Sequence, residues 1–310
     1  MGFMPTIITR AFSGIDDVHR ITQFLLDTYT LNKRLHNWEP RRWIGHIYHR
    51  DSAEMAAHLG QLSRRMRIWQ SGDGAIFGTV IAEYPGSVFL QVHPEYRQIE
   101  HDMLDWAETH LSEPTANGGQ RLEVWTYDYD TQRQDLLAAN GYQSVGYFEN
   151  LRRRSNAMPP PDITIPPDYR IRSAYQTPQE QQAIADLLNA GFRRTIHTAE
   201  EYATFQTHPF YDPELDIMVE VGDGVLAATA GLTCHPQHGF AMLEPVCTHP
   251  DHEGRGLAKA TIAEGLRRLR AHGIHTVYVS TAGNNAPANH VYDRMGFSHV
   301  ERSQLWRKVW

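Results

Sequence analysis

Leu243 to Lys259 reads LEPVCTHPDHEGRGLAK: an apolar strand-like run, a loop holding Gly254 and Gly256, and the start of a helix. Glycine lets a backbone come close to a ligand. The first amides of a helix have no carbonyl partner within it and sit at the positive end of its dipole. Gly254, Arg255, Gly256, Leu257, Ala258 and Lys259 therefore present a cradle of amides suited to a pyrophosphate, with two cationic side chains among them. A glycine pair alone also serves a plain tight turn. The second signal is Asn284 to Phe297, NNAPANHVYDRMGF, placed after the strand-like Thr276 to Ser280. Pro245 lies inside the strand Phe240 to Thr248. Proline donates nothing to a ladder, so it marks a bulge or an edge.

The same order of signals runs through the first half. His93-Pro94-Glu95-Tyr96 stands 156 residues before His249-Pro250-Asp251-His252, and Asn140-Gly141-Tyr142 stands 155 before Met295-Gly296-Phe297. Ahead of the first pair, each half shows a short strand, a helical apolar pattern and a strand–turn–strand–strand run. The turns are Ser71-Gly72-Asp73-Gly74 and Gly222-Asp223-Gly224, which are hairpin signals. Near-constant offsets over several landmarks indicate a duplicated α/β unit. The stretch Arg154 to Asp168 holds five of the 17 prolines and reads as an extended linker. The expected division is residues 1–153, a linker at 154–168, and 169–310.

These two motifs resemble the GCN5-related N-acetyltransferases (GNAT). That family's phosphate loop, Gln/Arg-x-x-Gly-x-Gly/Ala, is met by Glu253-Gly254-Arg255-Gly256-Leu257-Ala258 except at its first position, where an acid stands. Its second element is met by Asn285, Ala288, Tyr292, Gly296 and Phe297. The resemblance implies two tandem acyl-CoA N-acyltransferase domains of α/β class, each a mixed, mostly antiparallel sheet flanked by helices. It implies acetyl-CoA as co-substrate and no metal. Backbone groups of Val246, Cys247 and Thr248 would pair with pantetheine, residues 254–259 would hold the pyrophosphate, and Asn285 would contact the CoA arm. In this family the strand holding Pro245 splays from its parallel neighbour, and the acyl-CoA enters the gap.

Acetyl transfer to an amine requires loss of a proton from the amine, stabilisation of an oxyanion, and departure of a thiolate. Glu244 is the base candidate; simple alternation puts it on one face with Val246 and Thr248. Its plainer reading is a pocket-rim carboxylate. Tyr292 is the acid candidate, and its plainer reading is a buried aromatic with a satisfied hydroxyl. The Val246 amide is the expected oxyanion donor. Cys234, His235, His238, Cys247, His249 and His252 are close in sequence, but their spacing fits no standard zinc motif, and the cysteines are expected to be free.

In the first half the glycines are replaced by Gln98, Ile99, Glu100, His101 and Asp102, whose side chains and charges oppose a phosphate, and Leu137 stands where Tyr292 does. This half is expected to bind no acetyl-CoA productively. Trp38, Trp43, His46 and Tyr48 read as core or as a wall of the substrate site. The insert Phe192 to Pro213, with Arg193, Arg194, His197, Tyr202, Phe205 and Tyr211, is the expected source of acceptor contacts. The acceptor is expected to be a small-molecule or peptide amine. A mycothiol-synthase-like enzyme is a narrower alternative, and a non-catalytic acyl-CoA sensor or scaffold is a different one.

The chain has 310 residues, 41% apolar and 21% charged, with a net charge of −7 and no basic block. That excludes wholesale disorder and argues against nucleic-acid binding. No apolar run reaches the roughly 20 residues of a membrane span. Two cysteines in this length point to a reducing, cytoplasmic setting. Met1-Gly2-Phe3-Met4-Pro5-Thr6 fits a loose myristoylation pattern without the basic partner that stable anchoring needs. A homodimer is left open.

Overall fold

The computed structural model describes residues 6–310, so most of the Met1–Thr6 pattern lies outside the described residues. The first half runs β1 (Ile7–Ala11), α1 (Ile15–Asn32), α2 (Pro40–Tyr48), α3 (Ser52–Arg65), β2 (Met66–Ser71), β3 (Ile76–Tyr84), β4 (Ser87–Val92), α4 (Glu100–Leu111), β5 (Glu113–Pro114), β6 (Gln120–Tyr127), α5 (Thr131–Ala139) and β7 (Gln143–Ser155). The second half runs β8 (Tyr169–Ser173), α6 (Pro178–Phe192), α7 (Ala199–Phe205), β9 (Asp216–Val221), β10 (Val225–His235), β11 (Phe240–Thr248), α8 (Leu257–Leu269), β12 (Thr276–Ala282), α9 (Ala286–Arg294) and β13 (His299–Val309). Short 3-10 turns open at Pro94 and Pro250, straight after the paired His-Pro signals.

The chain forms two compact units that do not follow sequence order. One holds Met1–Ile47, Ala56–Glu149 and Glu301–Trp310; the other holds Tyr48–Met55 and Asn150–Val300. The final strand β13 therefore belongs to the first unit, where it runs antiparallel to β6 from Ser303↔Tyr127 to Val309↔Arg121. The first unit's sheet has the order β1-β2-β3-β4-β6-β13, and the second's β12-β11-β10-β9-β8 is continued by β7 beside β12.

Both units have mixed sheets, and each has its parallel pairing in the same place. β4 pairs with β6 only from Ser87↔Glu123 to Phe89↔Trp125. β11 pairs with β12 only from Phe240↔Thr276 to Met242↔Tyr278. Beyond those three rungs each pair separates. Helix α8 covers one face of the second sheet because Ile262, Leu266 and Leu269 recur at helical spacing; all three are fully buried with Leu232, Leu243 and Val279. Each such side chain contributes about 2 kcal/mol by leaving water. Helix α4 does the same for the first sheet with Met103, Leu104, Ala107 and Leu111.

Candidate active site

The loop before α8 has the shape its glycines suggest. Gly254 and Gly256 have φ of 78° and 79°, in the left-handed region, and a Cβ added at either would meet nothing within 4 Å. Within the chain their role is backbone conformation, and the space a side chain would take is open. Gly256 is the N-cap of α8, and the Ala260 amide reaches back to the Gly256 carbonyl. The amides of Leu257, Ala258 and Lys259 precede that first intrahelical bond and remain directed outward from the helix end. Arg255 folds back, donating from Nη1 to the Asp251 carbonyl at 2.8 Å, so its cation sits against the loop. Glu253 and Gly254 are exposed beside it.

Val246, Cys247 and Thr248 lie on β11 beyond the last rung to β12, and are held on the other side by Ala230, Thr229 and Ala228. The edge facing β12 is thus left unpaired where a third extended segment would fit. Cys247 is buried, with Sγ 3.9 Å from the Leu187 carbonyl, and burial pushes its thiol up to about 12. Both cysteines are free; Cys234 is half-buried.

The structure corrects the alternation argument for Glu244. Leu232 pairs with Leu243 and Ala230 with Val246, so two residues, Glu244 and Pro245, stand opposite Gly231 alone. This is a β-bulge, and the peptide between the two residues is cis. Cross-strand partners share a face. Val246 therefore shares the Leu243 face, while Glu244 lies on the Gly231 face. Gly231 permits this, since a Cβ there would be 2.9 Å from Pro245 Cδ and 3.0 Å from the Glu244 carbonyl. Glu244 is exposed and lines a recess with Tyr202, Phe205, Tyr211, Asp212 and Asp216. Asp216 is buried and accepts from the hydroxyls of Tyr202 at 2.5 Å and Tyr211 at 2.9 Å. This lining has three carboxylates, four aromatic rings including His208, and neither Lys nor Arg.

Asn285 caps α9, its side chain accepting from the Ala288 amide at 3.2 Å. Two turns on, Tyr292 is 7% exposed and packs edge-on against Phe297. Burial raises its phenol above the ordinary value, the Glu244 charge raises it further, and Arg152 acts against both. The phenol is therefore protonated at neutral pH, and Glu244 is close enough to feel it.

The first unit closes the equivalent place with its own side chains. By the same offsets Leu90 matches Val246, Glu100 matches Gly256, Asp130 matches Asn285 and Arg133 matches Ala288. Arg133 donates to the Leu90 carbonyl at 2.8 Å, just past the last β4–β6 rung, and to Glu100 at 2.7 Å. Arg97 bonds Glu100 and, at 2.8 Å, Asp130. A guanidinium fills the position kept small by Ala288 in the second unit. Sequence reading singled out Glu100 but missed Arg133, although the 155-residue offset that aligns Gly141 with Gly296 carries it. It also missed Asp216, the carboxylate on which Tyr202 and Tyr211 converge. Trp38 and Trp43 are core, 1% and 0% exposed.

Residues 181–297 match the family model described as Acetyltransferase (GNAT) family. The chain's fold is shared with solved GNAT proteins, a tandem one among them. A GCN5-related N-acetyltransferase from Sphaerobacter thermophilus superposes with a TM-score of 0.61 at 20% identity, covering 98% of this chain and 95% of that one. A tandem GNAT protein from the clavulanic acid biosynthesis pathway gives 0.62 at 16% identity, covering 98% of each. Among curated sequences, a mycothiol acetyltransferase of Arthrobacter sp. strain FB24 is 26% identical over 244 residues, 76% of this chain and 74% of its own. One from Tsukamurella paurometabola is 27% identical over 277 residues, 81% and 90%.

Proposed function

We propose that this protein is an acetyl-CoA-dependent N-acetyltransferase whose second unit transfers the acetyl group directly to a primary amine of a small molecule or peptide. The observation that carries this reading is the separation of β11 from β12 after Met242↔Tyr278, directly ahead of the Gly254–Gly256 loop and the α8 amides. An open strand edge leading to an anion cradle suits a pantetheine arm ending in a pyrophosphate. In this reading Val246, Cys247 and Thr248 offer backbone groups to the arm, residues 254–259 hold the phosphates, and Asn285 borders the arm. The Val246 amide meets the oxyanion. Glu244 takes the amine proton, directly or through a water, and Tyr292 protonates the departing thiolate.

The recess of Asp212, Asp216 and Glu244 among aromatic rings favours a cationic acceptor, which an amine is before it reacts. The relatives named mycothiol acetyltransferase favour a mycothiol-related acceptor as the narrower reading. The first unit, closed by Arg133, serves as a non-catalytic partner. No helix among the described residues is long and apolar enough to cross a membrane, and with two free cysteines we assign the enzyme to the cytoplasm.

Calorimetric titration with acetyl-CoA, beside Gly256→Trp, tests the placement. One site per chain, lost in the variant, is the expected result. Two sites would mean that Arg133 does not close the first unit. Binding without turnover on any amine would favour the sensor reading, with Glu253 as the altered position. No binding would end the acetyltransferase assignment.

A further inference from the structure

Outside the transfer site, two imidazoles and a carboxylate converge in the second unit. His49 Nδ1 lies 2.9 Å from Glu201 Oε1, and His197 Nδ1 lies 2.8 Å from Glu201 Oε2. The three ligand atoms all fall within 4.8 Å of one another. Side-chain exposure is 7% at His197, 8% at Glu201 and 23% at His49. We propose that His49, His197 and Glu201 form a site for a divalent transition metal of the zinc class.

The arrangement is built rather than incidental. Thr198 is the N-cap of α7, and its hydroxyl accepts from the Glu201 amide while the Glu201 side chain accepts from the Thr198 amide. That reciprocal capping fixes the carboxylate at the helix start. His197 precedes the cap, four residues from Glu201, so both sit on one side of the turn. His49 arrives from the Tyr48–Met55 segment, 152 residues away in sequence. Its ring stacks on Phe205 at 4.2 Å and 8°, which sets the direction of its nitrogens.

The donor set is the one zinc accepts: neutral imidazole nitrogens and a carboxylate, with a fourth position for water. Tetrahedral bonds of about 2.0–2.1 Å put neighbouring ligand atoms roughly 3.3 Å apart. The present contacts of 2.8 to 3.0 Å need to open by only a few tenths of an ångström. Each ring must turn a lone pair at Nδ1 toward the metal, so its proton moves to Nε2. At His197 that nitrogen now faces Arg194 Nη2 at 2.5 Å, and Arg194, which is exposed, must swing away. Arg50, whose charge also reaches Glu201, opposes a cation as well. These two arginines lower the affinity without blocking the ligands. A bound ion would fasten the 48–55 segment to α7, whose Tyr202 and Phe205 line the acceptor recess.

The test uses the full chain, stripped with a chelator and titrated with zinc against a chromophoric competitor. We expect one zinc per chain, weakened more than about tenfold in His49→Gln and Glu201→Gln. His19→Gln, on the exposed face of α1, should bind as the parent does. Cobalt in place of zinc should give the visible bands of a four-coordinate N/O site. Arg194→Ala needs no buried change and should bind zinc more tightly, so the site remains testable if a histidine variant fails to fold. Absence of stoichiometric binding, or an affinity that neither Arg194→Ala nor the ligand variants move, would overturn the proposal.

Discussion

At Glu244 and Tyr292 a carboxylate and a phenol share one electrostatic environment, and their proposed roles separate by measurement. Tyr292→Phe keeps the ring packed on Phe297 and removes only the hydroxyl, so single-turnover acetylation should slow by about 10²–10⁴-fold while acetyl-CoA affinity holds. Glu244→Gln should slow turnover most at low pH, where the acceptor amine most needs help losing its proton. If pH profiles and single-turnover rates of both variants match the parent, the assigned roles are wrong. The glycine loop and the Asn285–Tyr292–Phe297 spacing were legible in the sequence because each depends on residues a few positions apart. The face of Glu244 was not. It depends on one extra residue in β11, and a bulge reverses the alternation of every residue past it. Pro245 announced an irregularity but not on which side of the strand it would turn Glu244.

Among the elements, α5 of the first unit and α9 of the second are matched copies with opposite contents. Arg133, on α5, is 7% exposed at its side chain and bonded to Glu100, itself 3% exposed. Removing Arg133 leaves Glu100 paired with Arg97 but takes the donor from the Leu90 carbonyl and from one Glu100 oxygen, a loss of about 1–3 kcal/mol. Arg133→Ala should therefore lower the unfolding free energy by that order in urea titration, without adding a second acetyl-CoA site by calorimetry. Glu100→Gln should cost less, because its amide still accepts from Arg133. The strands and hairpins were readable from their β-rich runs and Gly-Asp-Gly turns. Helices α2, α3 and α7 went unread: α2 and α7 are only nine and seven residues long, and α3 buries just His58 and Leu62 of its fourteen.

Across the whole molecule each unit holds a histidine shielded from water, half-buried at His36 and buried at His235. His36 in the first and His235 in the second both fall to about 3, burial being the largest cause in each. Neutral burial means the folded chain refuses a proton that the unfolded chain accepts below about 6.5. Stability contributed by neutrality is thus complete above pH 6.5 and declines as pH falls from there toward 3. Thermal midpoints should drop through that window, and His235→Phe, replacing a ring whose two nitrogens have no hydrogen-bond partner, should flatten the decline. A midpoint independent of pH between 6.5 and 4 in the parent would contradict it.

The return of residues 301–310 to the first unit gives the duplication a history of its own. Two copies joined end to end can in principle be parted again, lost singly or traded between genes. Once the last strand of the later copy completes the sheet of the earlier one, neither inherits independently. A change confined to residues 301–310, although it falls in the second copy of the sequence, strikes the sheet of the first.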